Sequence, residues 1–173
     1  MKQRVFVTGA TGGMGFASLK EMLKDTDKQD IVILARDSEK NRNILKPYTE
    51  TPGLEIVWGD LNNYDDVLKC VKGCDLILHI AAFVSPAADY YPKQAMKVNY
   101  GSTRNIISAI YELGQQERTR LVYIGTVAET GDRMPPVHWG RVGDPIKPSM
   151  FDYYAVSKVA AERLVIESGL KYW

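Results

Sequence analysis

Five short apolar runs divide the chain, and more polar segments with a helical period separate them. The runs cover residues 5–7, 31–34, 54–58, 76–80 and 121–124. They are rich in Val, Ile and Leu and almost continuous in apolar character, which is typical of strands that helices cover on both faces. Strands that alternate with helices predict βαβ units, so we expect an α/β fold with a parallel sheet between two layers of helices.

Apolar residues at helical spacing predict the helices between these strands. They lie at about residues 16–23, 64–71, 106–113 and 153–168. Asn62 or Asn63 is the expected N-cap of the helix that follows the third strand. Residues 129–152 form one long stretch rich in Pro and Gly, and loops of this length are usually functional or mobile.

Length and composition indicate one ordinary globular domain. The chain has 173 residues, of which 45% are hydrophobic and 25% are charged, and we expect a single domain over residues 1–173. The 22 basic and 21 acidic residues give a net charge of +1. This balance provides no broad positive field for a polyanion, so we expect a small-molecule ligand and no nucleic acid.

Membrane and metal sites find no support in the sequence. No apolar stretch approaches the ~20 residues of a membrane span, and the run at residues 5–7 is too short for a signal peptide. Cys70 and Cys74 lack the further Cys or His residues of a zinc site or a disulfide framework. We therefore expect no metal, no membrane partner and a reduced, cytoplasmic location.

A glycine-rich turn follows the first predicted strand and leads into the first helix. It contains Gly9, Thr11, Gly12, Gly13, Met14 and Gly15. Gly9 permits a tight turn, Gly12 lets backbone N–H groups approach a pyrophosphate, and Gly15 allows the helix to pack closely on the strand. The helix N-terminus adds a partial positive charge. This strand-turn-helix context predicts a dinucleotide site, and a P-loop is excluded because no Gly-Lys-Ser/Thr follows.

Tyr154 and Lys158 are four residues apart on the last predicted helix, so their side chains share one face. An isolated tyrosine has a pKa of about 10 and is a poor base at neutral pH. A neighbouring ammonium favours the ionised phenol and moves its pKa toward the working range of a general base. Tyr153 is followed by Ser157 at this spacing, so Tyr154 is the predicted proton carrier.

The G-x-x-G-x-x-G spacing at residues 9–15 and the Y-x-x-x-K spacing at Tyr154 occur with three further segments in an ordered series. Together they make the chain similar to the extended short-chain dehydrogenase/reductase superfamily, the NAD(P)-dependent epimerase/dehydratase group, over nearly its whole length. The resemblance implies a Rossmann-type, doubly wound parallel sheet. In that group the substrate pocket draws on a C-terminal region. Residues 170–173 look like the start of a sixth strand, so we expect a chain that stops before this region and is inactive by itself.

The resemblance also implies a third catalytic group after the fifth strand. Thr126 lies five residues before Gly131, which is the family spacing of the hydroxyl that orients the substrate oxygen beside the tyrosine. Thr130 is the alternative. Lys158 has a second family role, which is to bind the nicotinamide ribose. The chain departs from the usual Ser-Ser pair by having Gly125, and from the usual Tyr-Gly ending by having Thr130.

The end of the second strand bears on the choice between NAD and NADP. Arg36 follows Ala35 there, and an arginine at this point pairs with the 2′-phosphate of NADP, whereas an acidic residue would bind the ribose 2′-hydroxyl of NAD. We predict NADP ahead of NAD. The alternative is that Arg36 is a solvated charge and that Asp37 is a ribose ligand or an N-cap.

The resemblance implies further cofactor contacts at Asp60, Leu61, Ala81, Ala82 and Asn99. The alternative for Asp60 is a role in the turn before a helix. Asn99 is interpreted as a supporting residue without a catalytic role. His79 precedes the two alanines, and we interpret it as a core histidine with satisfied hydrogen bonds and no part in the chemistry.

Three functions remain open on these residues. The first is hydride transfer between a nicotinamide cofactor and a carbonyl or alcohol, with Tyr154 as acid and base. The second is NAD-dependent epimerisation of a nucleotide sugar. The third is a non-catalytic dinucleotide-binding or redox-sensing protein, which the presence of Tyr154 and Lys158 disfavours. Dehydration is disfavoured because residues 126–128 differ from the Thr-Asp-Glu of the family's dehydratases.

Substrate contacts and the oligomeric state follow from the resemblance only as expectations. Residues 83–91 and 134–153 are the candidate pocket loops, with His138, Trp139 and Arg141 as candidate contacts. The family forms dimers through a four-helix bundle, so we expect a homodimer through residues 99–113 and 154–168. The apolar residues expected in that contact are Val156, Ala160 and Ile107.

Overall fold

Five parallel strands form one sheet in the computed structural model, which describes residues 2–131, 143 and 145–170. The strands are β1 (Gln3–Thr8), β2 (Gln29–Ala35), β3 (Leu54–Trp58), β4 (Leu76–His79) and β5 (Arg120–Tyr123). Their order across the sheet is β3-β2-β1-β4-β5, and every neighbouring pair is parallel. Each strand overlaps one of the apolar runs, and the predicted Rossmann-type sheet is confirmed.

Helices connect the strands and cover the sheet. They are α1 (Gly13–Met22), α2 (Glu39–Leu45), α3 (Tyr64–Val71), α4 (Ala87–Tyr90), α5 (Pro92–Ala95), α6 (Gly101–Glu112) and α7 (Tyr153–Glu167), and a π-helical segment (Met96–Tyr100) joins α5 to α6. Asn63 is the N-cap of α3, because its side chain accepts a hydrogen bond from the N–H of Asp65 at 3.1 Å. The helix α4 lies within a predicted loop, since four residues are too few to show a helical period.

Residues of β1 point alternately into two hydrophobic layers. Phe6 packs with apolar residues of α3, α6 and α7, while Val5 and Val7 pack with those of α1 and α2. This alternation explains why the strand is apolar at every position. Ile107 belongs to the first layer and is only 7% exposed. Ile107 therefore has little free surface for the predicted dimer contact, which stays a prediction.

The carboxyl ends of β1, β2, β4 and β5 lie along one edge of the sheet. In register, Thr8 at the end of β1 lies opposite Leu34 on one side and His79 on the other. From β1 the chain adds β2 and β3 on one side and then crosses over to add β4 and β5 on the other side, so the strand order reverses at β1. In open α/β sheets this switch point is where ligands bind, so the turns after these strands are the place to look for a site.

Some expectations cannot be placed. His138, Trp139 and Arg141 lie outside the described residues, as do residues 171–173 of the predicted sixth strand. Among the residues that the structure describes, no helix is both long and apolar enough to cross a membrane. The same residues contain no cluster of His, Cys, Asp and Glu suited to a metal ion.

Candidate dinucleotide site and active site

One cavity of about 590 Å³ opens at the carboxyl edge of the sheet. We call it the main cavity. Its wall includes nearly all predicted cofactor and catalytic residues, namely Gly9, Thr11, Gly12, Gly13, Met14, Gly15, Arg36, Asp60, Leu61, Ala81, Ala82, Tyr154 and Lys158. Two predicted residues, Asn99 and Thr126, are not part of this wall. Folding thus brings together segments from both ends of the chain.

The glycine turn presents open backbone donors to the main cavity. Gly12 is the N-cap of α1 and offers no side-chain hydrogen bond to the helix, so the first N–H groups of α1 stay free for a ligand. A Cβ on Gly15 would lie 2.1 Å from the carbonyl oxygen of Gly9. Gly9 has a φ of +72°, which suits glycine. The turn therefore fits a pyrophosphate and leaves no room for side chains at these two positions.

Basic residues follow the end of β2 in the cavity wall. Arg36 and Lys40 both line the main cavity. Asp37 does not, and its carboxylate accepts two hydrogen bonds from Arg42, at 2.6 and 2.8 Å. These bonds lower the pKa of Asp37, and the Arg42 guanidinium lies 4.7 Å from the centre of the Trp58 ring. The acidic residue that directly follows Arg36 is thus already paired with a cation.

Asp60 has a structural role and also faces the ligand space. One of its carboxylate oxygens accepts hydrogen bonds from the backbone and side-chain N–H groups of Asn62, each at 2.8 Å. Asp60 therefore has the turn role of the alternative interpretation, but it does not cap the helix, since the N-cap of α3 is Asn63. Asp60 and Leu61 also line the main cavity, so the predicted adenine contact is compatible with this geometry and stays a prediction.

Thr8 and His79 fix the chain where β4 enters the cavity wall. The Thr8 hydroxyl oxygen accepts hydrogen bonds from the N–H groups of Ile80 and Ala81, both at 3.0 Å. The Thr8 proton is therefore free to be donated to Nδ1 of His79 at 2.9 Å. Through these bonds the backbone of Ala81, which borders the main cavity, is held against the end of β1.

The other nitrogen of His79 must then carry the ring proton. Nε2 lies 3.0 Å from the Thr103 hydroxyl, which itself donates to the carbonyl oxygen of Asn99 at 2.8 Å. Burial, and to a lesser extent the charge of Lys158, lowers the pKa of His79 to about 3. The ring is neutral and fully hydrogen-bonded, as expected for a core histidine with no part in the chemistry.

Asn99 lies behind the cavity wall. Its side-chain oxygen accepts from the N–H of Phe83 at 2.7 Å, and its nitrogen donates to the Phe83 carbonyl at 3.0 Å and to the Ser157 hydroxyl at 2.8 Å. These three bonds occupy most of the amide's capacity. Asn99 therefore joins the segment after β4 to α7, and it does not touch the space where we predicted a cofactor contact.

The two adjacent tyrosines are clearly separated by the fold. Tyr154 lines the main cavity, whereas Tyr153 is outside its wall and 41% exposed. The Thr126 side chain is close enough to the Tyr154 phenol to lower its pKa by hydrogen bonding. The alternative hydroxyl, Thr130, donates to the Val127 carbonyl at 2.9 Å instead. The predicted pair of Tyr154 and Thr126 is thus together in space, and their catalytic roles stay a prediction.

Lys158 is buried beside Tyr154. Its ammonium donates to the carbonyl oxygen of Ile124 at 2.5 Å and lies 3.9 Å from the centre of the Tyr123 ring. Burial lowers the pKa of Lys158 to about 8, against the opposing charges of Glu129 and Glu162. The fold therefore keeps this lysine close to its neutral form at moderately alkaline pH.

The pKa of Tyr154 differs from the sequence-based expectation. We expected the Lys158 ammonium to lower it, yet burial raises it, and the hydrogen bond with Thr126 opposes this rise only in part. The physical reason is that the phenol is half-buried while the ammonium is bound to the Ile124 carbonyl. In this structure desolvation outweighs the lysine's effect on the phenol.

Several residues of the main cavity were missed at the sequence level. They include Ser38, Lys40, Asn62, Gln94, Val98 and Gly125. Ser38 is the N-cap of α2 and Lys40 lies in its first turn, both within four residues of Arg36, so proximity in sequence was a usable signal. Gln94 and Val98 lie in short and π-helical segments, where no periodic pattern identifies an inward face.

The fold and the main cavity define a nucleotide-binding α/β protein with a Tyr-Lys pair at one end of its site. A model of the NAD dependent epimerase/dehydratase family matches residues 5–172. The chain belongs to this family, which confirms the resemblance drawn from the motifs.

Two curated relatives differ in the reactions their names describe. A UDP-glucose 4-epimerase of Rickettsia akari (strain Hartford) is 32% identical over 109 residues, which are 61% of this chain and 32% of the relative. A 3 beta-hydroxysteroid dehydrogenase/Delta 5-->4-isomerase of vaccinia virus (strain Ankara) is 29% identical over 173 residues, 94% of this chain and 45% of the relative. The chain therefore spans about a third to a half of these relatives.

Solved structures share the fold at low sequence identity. DesIV, a dTDP-glucose 4,6-dehydratase from Streptomyces venezuelae, has a TM-score of 0.82 and 22% identity and covers 98% of this chain and 54% of that one. The UDP-Glc/GlcNAc 4-epimerase of Campylobacter jejuni has a TM-score of 0.81 and 21% identity and covers 96% and 49%. These similarities establish the fold of the chain.

Proposed function

We propose that the protein is an NAD(P)-dependent oxidoreductase that interconverts an alcohol and a carbonyl group on a small molecule. The observation that carries this proposal is a single cavity with open phosphate donors at one end and Tyr154, backed by Thr126, at the other. A bound nicotinamide dinucleotide supplies the hydride chemistry. The protein's own part is to bind it, to hold the substrate oxygen and to move one proton at that oxygen.

The proposed roles follow the positions of the side chains. Tyr154 gives or takes the proton at the substrate oxygen, because it is the tyrosine in the cavity wall. Thr126 orients that oxygen and the phenol through its hydroxyl. Lys158 holds the ribose side of the cofactor and contributes its charge near the phenol. The glycine turn holds the pyrophosphate through the N–H groups of α1.

We propose NADP as the preferred cofactor. Arg36 and Lys40 provide two cations in the wall after β2, and the carboxylate of Asp37 is already bound to Arg42. A 2′-phosphate would find positive charge here, whereas a free ribose hydroxyl would find no unpaired acidic acceptor at Asp37. The NAD complexes among the related solved structures, such as that of WbmH from Bordetella bronchiseptica, make NAD the alternative.

Nucleotide-sugar epimerisation is the second candidate. The similarity to the Rickettsia epimerase favours it, while the vaccinia dehydrogenase, whose alignment extends over more of the chain, favours the first proposal. A non-catalytic binding protein is the third. Tyr154 and Lys158 in the wall of the main cavity argue against it.

We further propose a cytoplasmic homodimer. Cys70 and Cys74 are buried free thiols, which suits a reducing compartment. Val156 and Ala160 on α7 are half-buried and remain available for a contact between two copies of the chain. Sedimentation of the 173-residue chain tests the oligomeric state, and a monomer at micromolar concentration would contradict the dimer.

A direct test combines cofactor binding with a substrate panel. The chain, and any longer form that its gene encodes, is titrated with NADPH and NADH and then assayed with aldehydes, ketones and nucleotide sugars. We expect cofactor binding by the chain and net oxidation or reduction by the complete protein. Conversion between sugar epimers without net change of the cofactor would select the second candidate, and binding without any turnover would select the third.

A further inference from the structure

Two carboxyl groups meet behind the catalytic end of the main cavity. Glu129 lies in a short 3-10 turn (Val127–Thr130) and Glu162 lies on α7. One oxygen of each lies 3.4 Å from the point where a Cβ on Gly125 would be. The two carboxyls are close enough for a hydrogen bond between them, which is one of the causes that raise the pKa of Glu129. Since an ionised carboxylate only accepts hydrogen bonds, this bond requires a proton on one partner.

Glu129 is the member of this pair that is shielded from solvent. Glu129 is only 6% exposed, and its Oε1 is buried without a hydrogen-bond partner among the described residues. A buried charge with an unpaired oxygen is costly, so the neutral form is favoured. Burial above all, and then the contact with Glu162, raises the pKa of Glu129 to about 8.

The pair lies between two cavities. Gly125 lines the main cavity and also a second one of about 410 Å³, which Glu162 lines from α7. We call this second space the side cavity. The carboxyl pair occupies the space that a side chain at position 125 would fill. Glu162 thus borders an open space, while Glu129 is enclosed beside the catalytic segment.

Glu129 interacts with each part of the predicted proton-transfer machinery. Its backbone N–H donates to the Thr126 carbonyl at 3.2 Å, the nearby Thr126 backbone lowers the pKa of its carboxyl, and its charge acts on Lys158 and on Tyr154. Tyr123 from β5 is the other titratable group facing the pair. Of the titratable groups named here, Lys158 is the only cation. One negative charge on the carboxyl pair balances the Lys158 ammonium, whereas two negative charges would leave one of them uncompensated in a region of low polarity.

We propose that Glu129 and Glu162 form an acid pair with one shared proton and one negative charge, and that Glu129 is a positioning residue for Thr126 and Lys158. The proposal rests on the proposed function only in the use of these two residues for proton transfer. The neutral Glu129 fixes the turn that carries Thr126. The single charge of the pair holds the Lys158 ammonium against the Ile124 carbonyl.

Matched variants distinguish the effect of the Glu129 charge from the effect of its side-chain shape. In Glu129→Gln an amide replaces the protonated acid, keeps its volume and donates to Glu162. Glu129→Ala removes the bond altogether. Glu167→Gln, at an exposed position on the same helix, removes one charge outside the pair. Circular dichroism confirms that each variant folds before it is compared.

The first measurement is the infrared carbonyl band of a protonated carboxylic acid, followed from pH 6 to pH 10. We expect this band in the wild type and in Glu167→Gln, with loss as the pH passes about 8. We expect the corresponding intensity to be absent in Glu129→Gln. A wild type without the band at pH 6, or a band that Glu129→Gln leaves unchanged, would overturn the acid pair.

The second measurement is the titration of Lys158 by NMR of lysine labelled at Cε. Near pH 8 the wild-type pair begins to lose its shared proton, and the second negative charge then supports the Lys158 ammonium. The pair in Glu129→Gln keeps a single charge, so Lys158 should titrate at a lower pH in this variant, while Glu167→Gln should match the wild type. An unchanged midpoint in Glu129→Gln would show a merely structural role and refute the positioning claim. Neither measurement needs cofactor or substrate. Failure of the proposed function would appear separately, as absent binding of NADPH and NADH.

Discussion

The two ends of the main cavity are lined by different chemical groups. At the phosphate end the wall is mostly backbone, with open N–H groups and exposed side chains such as Met14, which is 64% exposed. At the catalytic end the wall consists of buried titratable side chains, among them Lys158 at 3% exposure and the half-buried Tyr154. Under the proposed function, cofactor binding depends on shape and proton transfer depends on the protonation of these side chains.

This contrast shows how one cavity serves two tasks. Backbone donors recognise phosphate at any ordinary pH, and they tolerate changes in exposed neighbours. Buried side chains have pKa values that the surroundings have shifted, so their function changes with a single nearby charge. Variants at the phosphate end should therefore change binding by adding side-chain volume. Variants at the catalytic end should instead change which side chains carry a proton.

The largest effect is expected at the catalytic end. Tyr154→Phe removes the proton carrier with little change in volume, so turnover by the complete protein should fall by roughly 10²–10⁴-fold, while NADPH binding stays nearly unchanged. Tyr153→Phe is the matched control and should keep its activity, because Tyr153 lies outside the cavity wall. Steady-state kinetics and a fluorescence titration measure the two quantities. Retained turnover in Tyr154→Phe would remove the proposed role.

The next effect is one of volume at the phosphate end. Gly15→Ala would place a Cβ 2.1 Å from the Gly9 carbonyl oxygen, whereas a Cβ at Gly13 meets nothing within 4 Å. We expect Gly15→Ala to lower the free energy of unfolding by about 3 kcal/mol and to abolish cofactor binding. Gly13→Ala should change the unfolding free energy by less than about 1 kcal/mol. Urea unfolding compares them, and equal midpoints would contradict the close packing.

A smaller effect concerns the cations after β2. Arg36→Ala should weaken NADPH binding by about 1.5–3 kcal/mol, the range of a hydrogen bond to a charged group, and change NADH binding little. Arg163→Ala, at an exposed position of α7, removes the same charge far from the glycine turn and is the control. Calorimetric titration gives both affinities. Similar affinities of the wild type for the two cofactors would remove the argument for NADP.

Much of the phosphate end could be predicted from the sequence, because its signals are local. The glycine spacing, the strand before it and the helix after it lie within a short stretch, and each has a direct backbone meaning. Arg36 was found in the same way, from its place after β2. The bonding of Asp37 to Arg42 is also local, although the sequence left open which of two roles Asp37 has.

The catalytic end was predicted less completely, because its chemistry depends on burial. Tyr154 and Thr126 were found by spacing, but the rise in the pKa of Tyr154 comes from desolvation that no spacing reveals. Glu129 was placed at the start of a loop, and Glu162 lay in the last predicted helix without any assigned role. Only the fold shows that the two meet beside Gly125. Asn99 was placed near the cofactor, although tertiary bonds direct it behind the wall.

The smallest predicted effect is a pH dependence of stability from the catalytic end. The pKa of Glu129 is raised from 4.5 to about 8 in the folded chain, so between these values the folded state holds a proton that the unfolded state has lost. Its contribution to stability is therefore present below pH 4.5 and lost as the pH rises to about 8. The pKa of Lys158 is lowered from 10.5 to about 8, so its charged form is disfavoured by folding, and stability recovers above that pH.

The pH range over which Glu129 lowers stability ends near pH 8, where the range over which Lys158 restores it begins. Glu129 and Lys158 together should therefore produce a shallow minimum of the unfolding free energy near pH 8. In Glu129→Gln the falling limb between pH 4.5 and pH 8 should disappear, so the stability of the variant relative to the wild type should rise across that range. Glu167→Gln should follow the wild-type curve. Urea unfolding at pH 5, 6.5, 8 and 9.5 measures the difference. A constant offset between Glu129→Gln and the wild type at every pH would mean that Glu129 is ionised in the folded chain, and that the catalytic end does not differ from the phosphate end in the way its buried groups indicate.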